Sequence, residues 1–225
     1  MTFIRSKQFF PCHQPLPKQA LLLAGFGGSI WQLRRLVRVL NKAGYDVTAL
    51  DFPKSVLSSG DTTHLPQLVD EVVAFAEKQA RASAEPTLLV GVSLGALFTL
   101  NILRRSNLFD EGVLITGGDI AKIAQKLYPS KWPQPYAQLA KAWQDINMYT
   151  LPAQLKNKRL LFVVHPSSKL IDVRDIRREA KMQQAAGNHL VLVERDRFDH
   201  IGTIIEETIL RPKRVLTYID QVKKP

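Results

Sequence analysis

The sequence predicts an α/β domain with a mostly parallel central sheet and helices on both of its faces. Short aliphatic runs, such as residues 20–24 and 88–92, alternate with longer segments whose apolar residues recur at helical spacing. Strands that are apolar throughout are typical of a parallel sheet that helices cover on both sides. The repeated order of strand and helix in the first half of the chain therefore favours right-handed crossovers between parallel strands.

The individual elements follow from this pattern and from the residues that bound each segment. Gly44 and Gly187 end predicted helices, and Pro86 precedes a strand. Strands are predicted at residues 20–24, 46–52, 88–92, 111–116, 159–165 and 189–194, with an opening strand at 3–10. Helices are predicted at 31–43, from Thr62 or Thr63 to 82, directly after Ser93, at 172–186, and through Ile204 and Ile209, with Pro212 kinking or restarting the last one.

Composition bounds the domain count and the chemistry. The chain has 225 residues, 45% of them hydrophobic, and no shift in composition divides it, so we expect one domain over residues 1–225. Cys12 is the only cysteine, which excludes an intrachain disulfide and a thiolate metal cluster, and we expect neither a metal nor a cofactor. Because no apolar run of about 18 residues and no secretory leader is found, we expect a cytoplasmic protein without a transmembrane segment.

The formal net charge of +11 raises the question of a polyanionic partner. The basic residues are spread over predicted helices as solvated faces, for example Arg34, Arg35 and Arg38 opposite Leu36 and Leu40. No aromatic residues interleave with these clusters to stack on bases, so nucleic-acid binding is not expected. A basic surface near a pocket mouth would still favour anionic substrates or membranes.

One motif organises the chain. Residues 87–98, TLLVGVSLGALF, pass from an aliphatic strand through G-x-S-x-G into a helical pattern. Gly91 and Gly95 remove side chains that would collide with a sharp turn, and such a turn exposes the hydroxyl of Ser93. The five-residue pattern alone is unspecific and also occurs in structural turns. In this strand-to-helix setting, however, the sequence resembles the α/β-hydrolase family from residue 20 onward, and the resemblance implies the fold of that family with Ser93 as nucleophile.

The resemblance also implies a base for Ser93, whose hydroxyl must lose its proton as it attacks a carbonyl. His200 follows the last predicted strand, where the family places its histidine, and the other four histidines lie elsewhere. A lone histidine is more often structural, but the paired placement of Ser93 and His200 favours a catalytic role.

An oxyanion hole is implied by the loop that follows strand 20–24. Its sequence, Gly25-Phe26-Gly27-Gly28, is similar to the H-G-x-G-G loop of the family, with Ala24 in place of the histidine. The backbone N–H groups of Phe26 and Leu94 would then stabilise the oxyanion. A phosphate-binding role is less well matched, because the loop lacks the Lys-Ser/Thr of a P-loop and the spacing of a dinucleotide fingerprint.

The acid of the triad departs from the family pattern. After the penultimate strand the family typically reads G-x-x-D-x-x-[VI], and Ser168 stands in the place of the aspartate. Asp172 is the nearest carboxylate and the first candidate, although it would equally cap the helix that it precedes. Asp119, at the end of strand 111–116, is the alternative acid, because some hydrolases of this fold carry their acid there. A dyad of Ser93 and His200, or a damaged site, is the third possibility.

The segment at residues 119–155 breaks the alternation of strands and helices. Pro129, Pro133 and Pro135 separate two helix-like pieces, and the segment holds several aromatic residues, among them Tyr128, Trp132, Trp143 and Tyr149. Insertions at this place in the family form caps over the active site, so the resemblance implies a small helical cap. The alternative is that residues at helical spacing in this segment, such as Trp143, only pack it onto the sheet.

Two hypotheses of function remain open from the sequence. The first is a serine hydrolase of the esterase or thioesterase kind, which cleaves an ester, thioester or amide of a small apolar acyl compound through an acyl-enzyme on Ser93. The second is a non-catalytic protein of the same fold that binds a ligand or partner. The intact elbow, the glycine-rich loop and His200 favour the first, and the irregular acid and Ala24 favour the second.

Overall fold

The fold is built on one seven-stranded sheet. In this computed structural model the described residues are 4–14, 17–83, 85–148, 155–166, 168–196 and 199–223. The strands are β1 (Ser6–Phe10), β2 (Lys18–Leu23), β3 (Tyr45–Asp51), β4 (Thr87–Val92), β5 (Glu111–Ile115), β6 (Arg159–Val164) and β7 (His189–Glu194). Their order across the sheet is β1-β3-β2-β4-β5-β6-β7, and only the pair of β1 with β3 is antiparallel. The prediction of a mostly parallel sheet is confirmed.

The helices connect the strands in the predicted order. They are α1 (Arg34–Lys42), α2 (Ser55–Ser58), α3 (His64–Arg81), α4 (Leu94–Arg105), α5 (Ile120–Leu127), α6 (Tyr136–Ala142), α7 (Val173–Ala185), α8 (His200–Ile205) and α9 (Lys213–Lys223). A 3-10 helix, Ile30–Leu33, leads into α1, and a π-helical turn, Glu206–Leu210, follows α8. The last helix restarts after Pro212, as expected. Among the described residues, no helix combines the length and the apolar character needed to cross a membrane.

Helices cover both faces of the sheet because the strand residues alternate between two cores. In β2, Leu21 and Leu23 belong to the core that holds buried residues of α3, α4 and α7, whereas Ala20 and Leu22 belong to the core with α1 and α9. Every residue of β4 is buried, as expected for a central parallel strand. The α/β fold with helices on both faces is thus confirmed.

The segment predicted as a cap has two structural parts. Its helix α5 turns Ile120, Ile123 and Leu127 toward a cavity at the carboxyl ends of the strands. Trp132 and Trp143, in contrast, are buried, and their indole N–H groups donate hydrogen bonds to the carbonyls of Leu57 and Thr62 at 2.7 and 2.9 Å. The buried tryptophans attach this segment to the chain around α2 and α3. Tyr149 and residues 150–154 lie outside the described residues, and the limits 119–155 of a cap remain a prediction.

The connection from β4 to α4 is the tightest part of the fold. A Cβ atom at Gly91 would overlap the carbonyl group of Gly95 and the hydroxyl of Thr99, and a Cβ atom at Gly95 would overlap the carbonyl oxygen of Leu23. Glycine at these two positions therefore allows α4 to lie directly against β2 and β4.

We predict that Gly95→Ala lowers the free energy of unfolding by about 3 kcal/mol, because the new methyl group meets backbone that cannot move without separating α4 from β2. The matched control is Gly187→Ala, at a glycine with φ of +84° and open space around it, which should cost only about 1 kcal/mol of conformational strain. Urea denaturation of both variants measures the difference. Equal costs would show that the overlap at Gly95 is relieved by small local shifts.

Candidate active site

Ser93 lies on a strained turn between β4 and α4. Its backbone has φ of 53° and ψ of −112°, a positive φ that side-chain-bearing residues rarely adopt. The N–H group of Ser93 donates to the carbonyl of Ile115 at 2.8 Å, and the N–H group of Ala96 donates to the carbonyl of Ser93 at 2.9 Å. These bonds fix the turn from both sides, so the serine side chain is held in the cavity above the sheet.

His200 is brought to Ser93 from the other end of the chain. It is the first residue of α8, whose start is fixed by Asp199, because the carboxylate of Asp199 accepts a hydrogen bond from the N–H group of Gly202 at 2.8 Å. The distance between Ser93 Oγ and His200 Nε2 is 3.3 Å. The structure therefore brings together the two residues that the sequence pattern paired.

The environment of His200 favours the neutral imidazole. Its pKa is lowered from the usual 6.5 to about 4, with burial as the largest cause, the charge of Asp199 acting to raise the pKa and His165 acting to lower it. At neutral pH the ring is therefore uncharged and can accept a proton from Ser93 through Nε2. Its Nδ1 atom is buried and has no hydrogen-bond partner among the described residues.

Asp172, the first candidate for the triad acid, caps a helix. It is the N-cap residue of α7, and its carboxylate accepts hydrogen bonds from the backbone N–H group of Arg174 at 3.0 Å and from the guanidinium of Arg174 at 2.8 and 3.1 Å. These bonds to Arg174 hold the pKa of Asp172 at about 2. Within the described part of the chain, no hydrogen bond joins Asp172 to His200.

Asp119, the alternative acid, is a buried N-cap. Its carboxylate accepts hydrogen bonds from the N–H groups of Ala121 and Lys122 at 3.0 and 3.1 Å, from the hydroxyl of Tyr136 at 2.6 Å and from the amide of Asn147 at 3.0 Å. Burial, followed by the bond to Asp119, raises the pKa of Tyr136. Asp119 therefore holds α5 and the residues after it in place, and its four bonds leave it no contact with His200 among the described residues.

The two predicted oxyanion donors lie in the same cavity as Ser93. Phe26 belongs to the glycine-rich loop after β2, and Leu94 is the first residue of α4, where backbone N–H groups have no partner within the helix. The ring of Phe26 packs edge-on against Tyr128, with 5.8 Å between the ring centroids. Ala24, which replaces the family's histidine, is buried at the base of the loop.

The cavity that holds these groups has a volume of about 320 Å³ and mainly apolar walls. One wall comes from α5, and the opposite wall comes from Ile201, Ile204 and Ile205 of α8 and Ile209 of the π-helical turn. Sequence reasoning treated the isoleucines only as helix-forming positions. Ile201, Ile204 and Ile205 follow His200 at positions i, i+3 and i+4. This spacing could have predicted that one face of the helix lies against the site.

No group of three or more His, Cys, Asp or Glu side chains in the described residues is arranged to hold a metal ion.

Asp199 is the further residue that sequence reasoning missed, since its charge acts on His200. An aspartate directly before a histidine that begins a helix is the signal for both its capping and its electrostatic effect.

Comparisons with known proteins agree with this fold. The model of the alpha/beta hydrolase family matches residues 20–214. The chain therefore belongs to that family and is a hydrolase by class. Among the curated proteins, none matches the chain. Three similar solved structures are an esterase of Pyrococcus furiosus, a thermophilic esterase of Thermogutta terrifontis and a monoglyceride lipase of Saccharomyces cerevisiae.

These three structures share the fold with little sequence identity. The P. furiosus esterase has a TM-score of 0.66 and 18% identity, with 92% of this chain and 82% of that chain covered. The T. terrifontis esterase has a TM-score of 0.67 and 13% identity, with coverage of 95% and 88%. The yeast lipase has a TM-score of 0.65 and 15% identity, with coverage of 96% and 89%.

The two candidate acids should differ in what their removal costs. We expect Asp172→Ala to lower the free energy of unfolding by about 1 kcal/mol, the usual cost of a lost N-cap. Asp119→Ala should cost about 3 kcal/mol or more, because it also leaves the Tyr136 hydroxyl and the buried Asn147 amide without their acceptor. Urea denaturation measures both values.

Turnover of a p-nitrophenyl ester by the Asn variants tests the triad role directly. The contacts of Asp172 predict that Asp172→Asn retains near-normal turnover, and Asp119→Asn is the matched variant. Loss of a triad carboxylate lowers turnover by about four orders of magnitude in a serine protease. A loss of that size in one variant alone would identify that residue as the acid and contradict a catalytic pair without one.

Proposed function

We propose that this chain is a serine hydrolase that cleaves an ester, thioester or amide of a small apolar acyl compound through an acyl-enzyme on Ser93. The observation that carries the proposal is the 3.3 Å distance between Ser93 Oγ and a buried, neutral His200 at the wall of an apolar cavity. Two of the three similar structures are esterases and the third is a lipase, which is consistent with an ester substrate.

The proposed reaction assigns one role to each group. Ser93 Oγ attacks the carbonyl carbon while its proton passes to Nε2 of His200, and the N–H groups of Phe26 and Leu94 stabilise the oxyanion. The proton then passes from His200 to the leaving alcohol or thiol, which departs and leaves the acyl group on Ser93. Water, deprotonated by His200, attacks this acyl group and releases the carboxylic acid.

The apolar walls support an acyl group rather than a charged one in the cavity. Apart from His200, the side chains that α5 and α8 contribute to the cavity wall are aliphatic. Such an arrangement is typical of a site that buries a hydrocarbon chain and orients it with few polar contacts.

The second candidate function is ligand binding without catalysis. The observation that favours it is the buried Nδ1 atom of His200, which has no hydrogen-bond partner among the described residues and thus nothing there to fix the imidazole orientation. A fluorophosphonate probe separates the two functions, because it labels an activated serine only.

We predict that Ser93→Ala abolishes both fluorophosphonate labelling and hydrolysis of short p-nitrophenyl esters, with an unchanged melting temperature. Ser29→Ala, which removes another hydroxyl from the wall of the same cavity, is the matched control and should retain labelling. Mass spectrometry of the labelled peptide identifies the modified residue. If the wild type is neither labelled nor active on a panel of esters and thioesters, ligand binding becomes the better proposal.

The pKa of His200 predicts the acid limb of the pH profile. A general base must be unprotonated, and the lowering of its pKa from 6.5 to about 4 extends the active form to lower pH. We therefore expect kcat/KM for a soluble ester to stay nearly constant from pH 8 to about pH 5 and to fall only near pH 4. A fall in kcat/KM already near pH 6.5 would contradict the lowered pKa of His200.

The histidine variants are the controls for this profile. His200→Ala should remove labelling and turnover, whereas His189→Ala, at an exposed position at the start of β7, should keep both the activity and the acid limb. Circular dichroism over the same pH range separates loss of the base from unfolding.

A further inference from the structure

Large apolar side chains are exposed around the mouth of the cavity. Trp31, Leu210 and Ile201 are 71%, 59% and 56% exposed, and Ile205 beside them is also exposed. Ile201 and Ile205 line the cavity, Trp31 precedes the lining residues Gln32 and Leu33, and Leu210 follows the lining residue Ile209. We call Trp31, Ile201, Ile205 and Leu210 the mouth rim.

The members of the mouth rim lie on one side of the molecule. Trp31 belongs to the 3-10 helix and Leu210 to the π-helical turn, and these two elements pack against each other. Ile201 and Ile205 belong to α8, which continues directly into the π-helical turn. Exposed apolar side chains grouped on adjoining elements in this way mark an interaction site more often than scattered apolar residues do.

A groove lined by cations adjoins the mouth rim. Five of its nine lining residues are Arg35, Arg38, Arg211, Lys213 and Arg214, and none is acidic. This is a local enrichment, since the whole chain has 31 Lys and Arg in 225 residues. Ile209 lines both the groove and the cavity, and its carbonyl accepts a hydrogen bond from Arg35 at 3.3 Å. We call these five residues the cationic groove.

The described carboxylates near the cationic groove pair with only two of its five cations. Glu206 and Glu207 are buried beneath it, and Glu206 lies 2.9 Å from Arg214 and 3.7 Å from Arg211. Glu207 lies 3.2 Å from Arg195 and 3.5 Å from Arg214. Among the described residues, Arg35, Arg38 and Lys213 have no carboxylate partner. Three cations thus remain beside the rim on a chain whose net charge is already +11.

We propose that the mouth rim and the cationic groove together form a docking surface for an anionic lipid membrane. The rim side chains would enter the boundary between headgroups and acyl chains, where a tryptophan is favoured, while the groove cations bind the phosphate groups. Docking in this way directs the cavity mouth toward the lipid, so an apolar ligand can enter the cavity without crossing water. The proposal does not depend on catalysis by Ser93.

The charge and shape of the surface favour a lipid over other occupants. A second copy of the chain would place like charges against each other, which opposes association. A small soluble anion would satisfy the cationic groove but leave the mouth rim in water. Only a partner that offers both a dense negative charge and an apolar layer matches the two parts together.

The chain contains its own reporter for this proposal. Of its three tryptophans, Trp132 and Trp143 are 2% and 0% exposed, so Trp31 is the one that a vesicle can reach. Full-length Ser93→Ala protein, which cannot consume lipid esters through Ser93, should float with vesicles of phosphatidylcholine and phosphatidylglycerol. Its tryptophan emission should shift to shorter wavelength, and high salt should reverse both effects.

Charge reversal tests the cationic groove with a matched control. Arg35→Glu with Arg38→Glu should weaken vesicle binding by about 30-fold or more, from the usual contribution of each cation at an anionic surface. Lys78→Glu with Lys181→Glu makes the same change in net charge on α3 and α7, which pack in the core on the other face of the sheet, and should change binding by less than about threefold. Trp31→Gln should remove the emission shift. Thermal melts confirm that each variant is folded.

Three outcomes would overturn the proposal. They are no binding to the mixed vesicles, equal binding to pure phosphatidylcholine vesicles, and equal loss in the two charge-reversal pairs. Where vesicles do not bind, self-association in sedimentation would identify a second copy as the occupant, and binding of inorganic phosphate would identify a small anion. Fluorophosphonate labelling of the wild type without vesicle binding would reject docking and leave the proposed hydrolase in place. Vesicle binding without labelling would support docking and reject the proposed hydrolase.

Discussion

The close approach of α4 to β2 and β4 is the constraint on which the site depends. Because Gly91 and Gly95 have no side chains, the helix begins directly against the strand carbonyls, and the chain must turn sharply at Ser93 to enter it. The positive φ of Ser93 is the cost of that turn, and the bonds to Ile115 and from Ala96 maintain it. The same turn places the first N–H group of α4 next to the serine in the chain, so one steric arrangement positions both the hydroxyl and the predicted oxyanion donor.

Burial of His200 links the fold to the chemistry. The apolar surroundings that lower its pKa keep the ring neutral and able to accept a proton, but they also oppose the imidazolium that forms when it does so. Asp199 partly offsets that cost, because its charge lies beside the ring while its carboxylate caps α8. Asp199 at the helix N-terminus thus caps α8 and also raises the pKa of His200, and in the proposed reaction its charge would favour the imidazolium in the absence of a hydrogen-bond partner for Nδ1 among the described residues.

The strands, the order of the sheet connections and the pairing of Ser93 with His200 could be predicted because each rests on a local pattern. Aliphatic runs, glycine positions and the residue after the last strand all carry their signal within a few residues. The roles of Asp172 and Asp119 could not be predicted in this way, because a capping carboxylate and a triad carboxylate look alike in sequence and differ only in their partners, Arg174 for one and Tyr136 with Asn147 for the other. The exposure of Trp31 and the groove beside it depend on the packing of segments that are distant in the chain.

The last part of the chain joins all of these features in one continuous segment. This segment begins at His200, and the isoleucines of α8 contribute to the cavity wall. The π-helical turn that follows lines both the cavity and the cationic groove. Glu206 and Glu207 of this turn form ion pairs with Arg211 and Arg214. A π-helical turn widens a helix locally and is frequent at functional sites. Here it turns Ile209 toward both the cavity and the groove, so a shift of this turn would change the cavity wall and the arrangement of the cations at once. The candidate base and most of the proposed docking surface therefore lie in one continuous stretch of chain, residues 200–214.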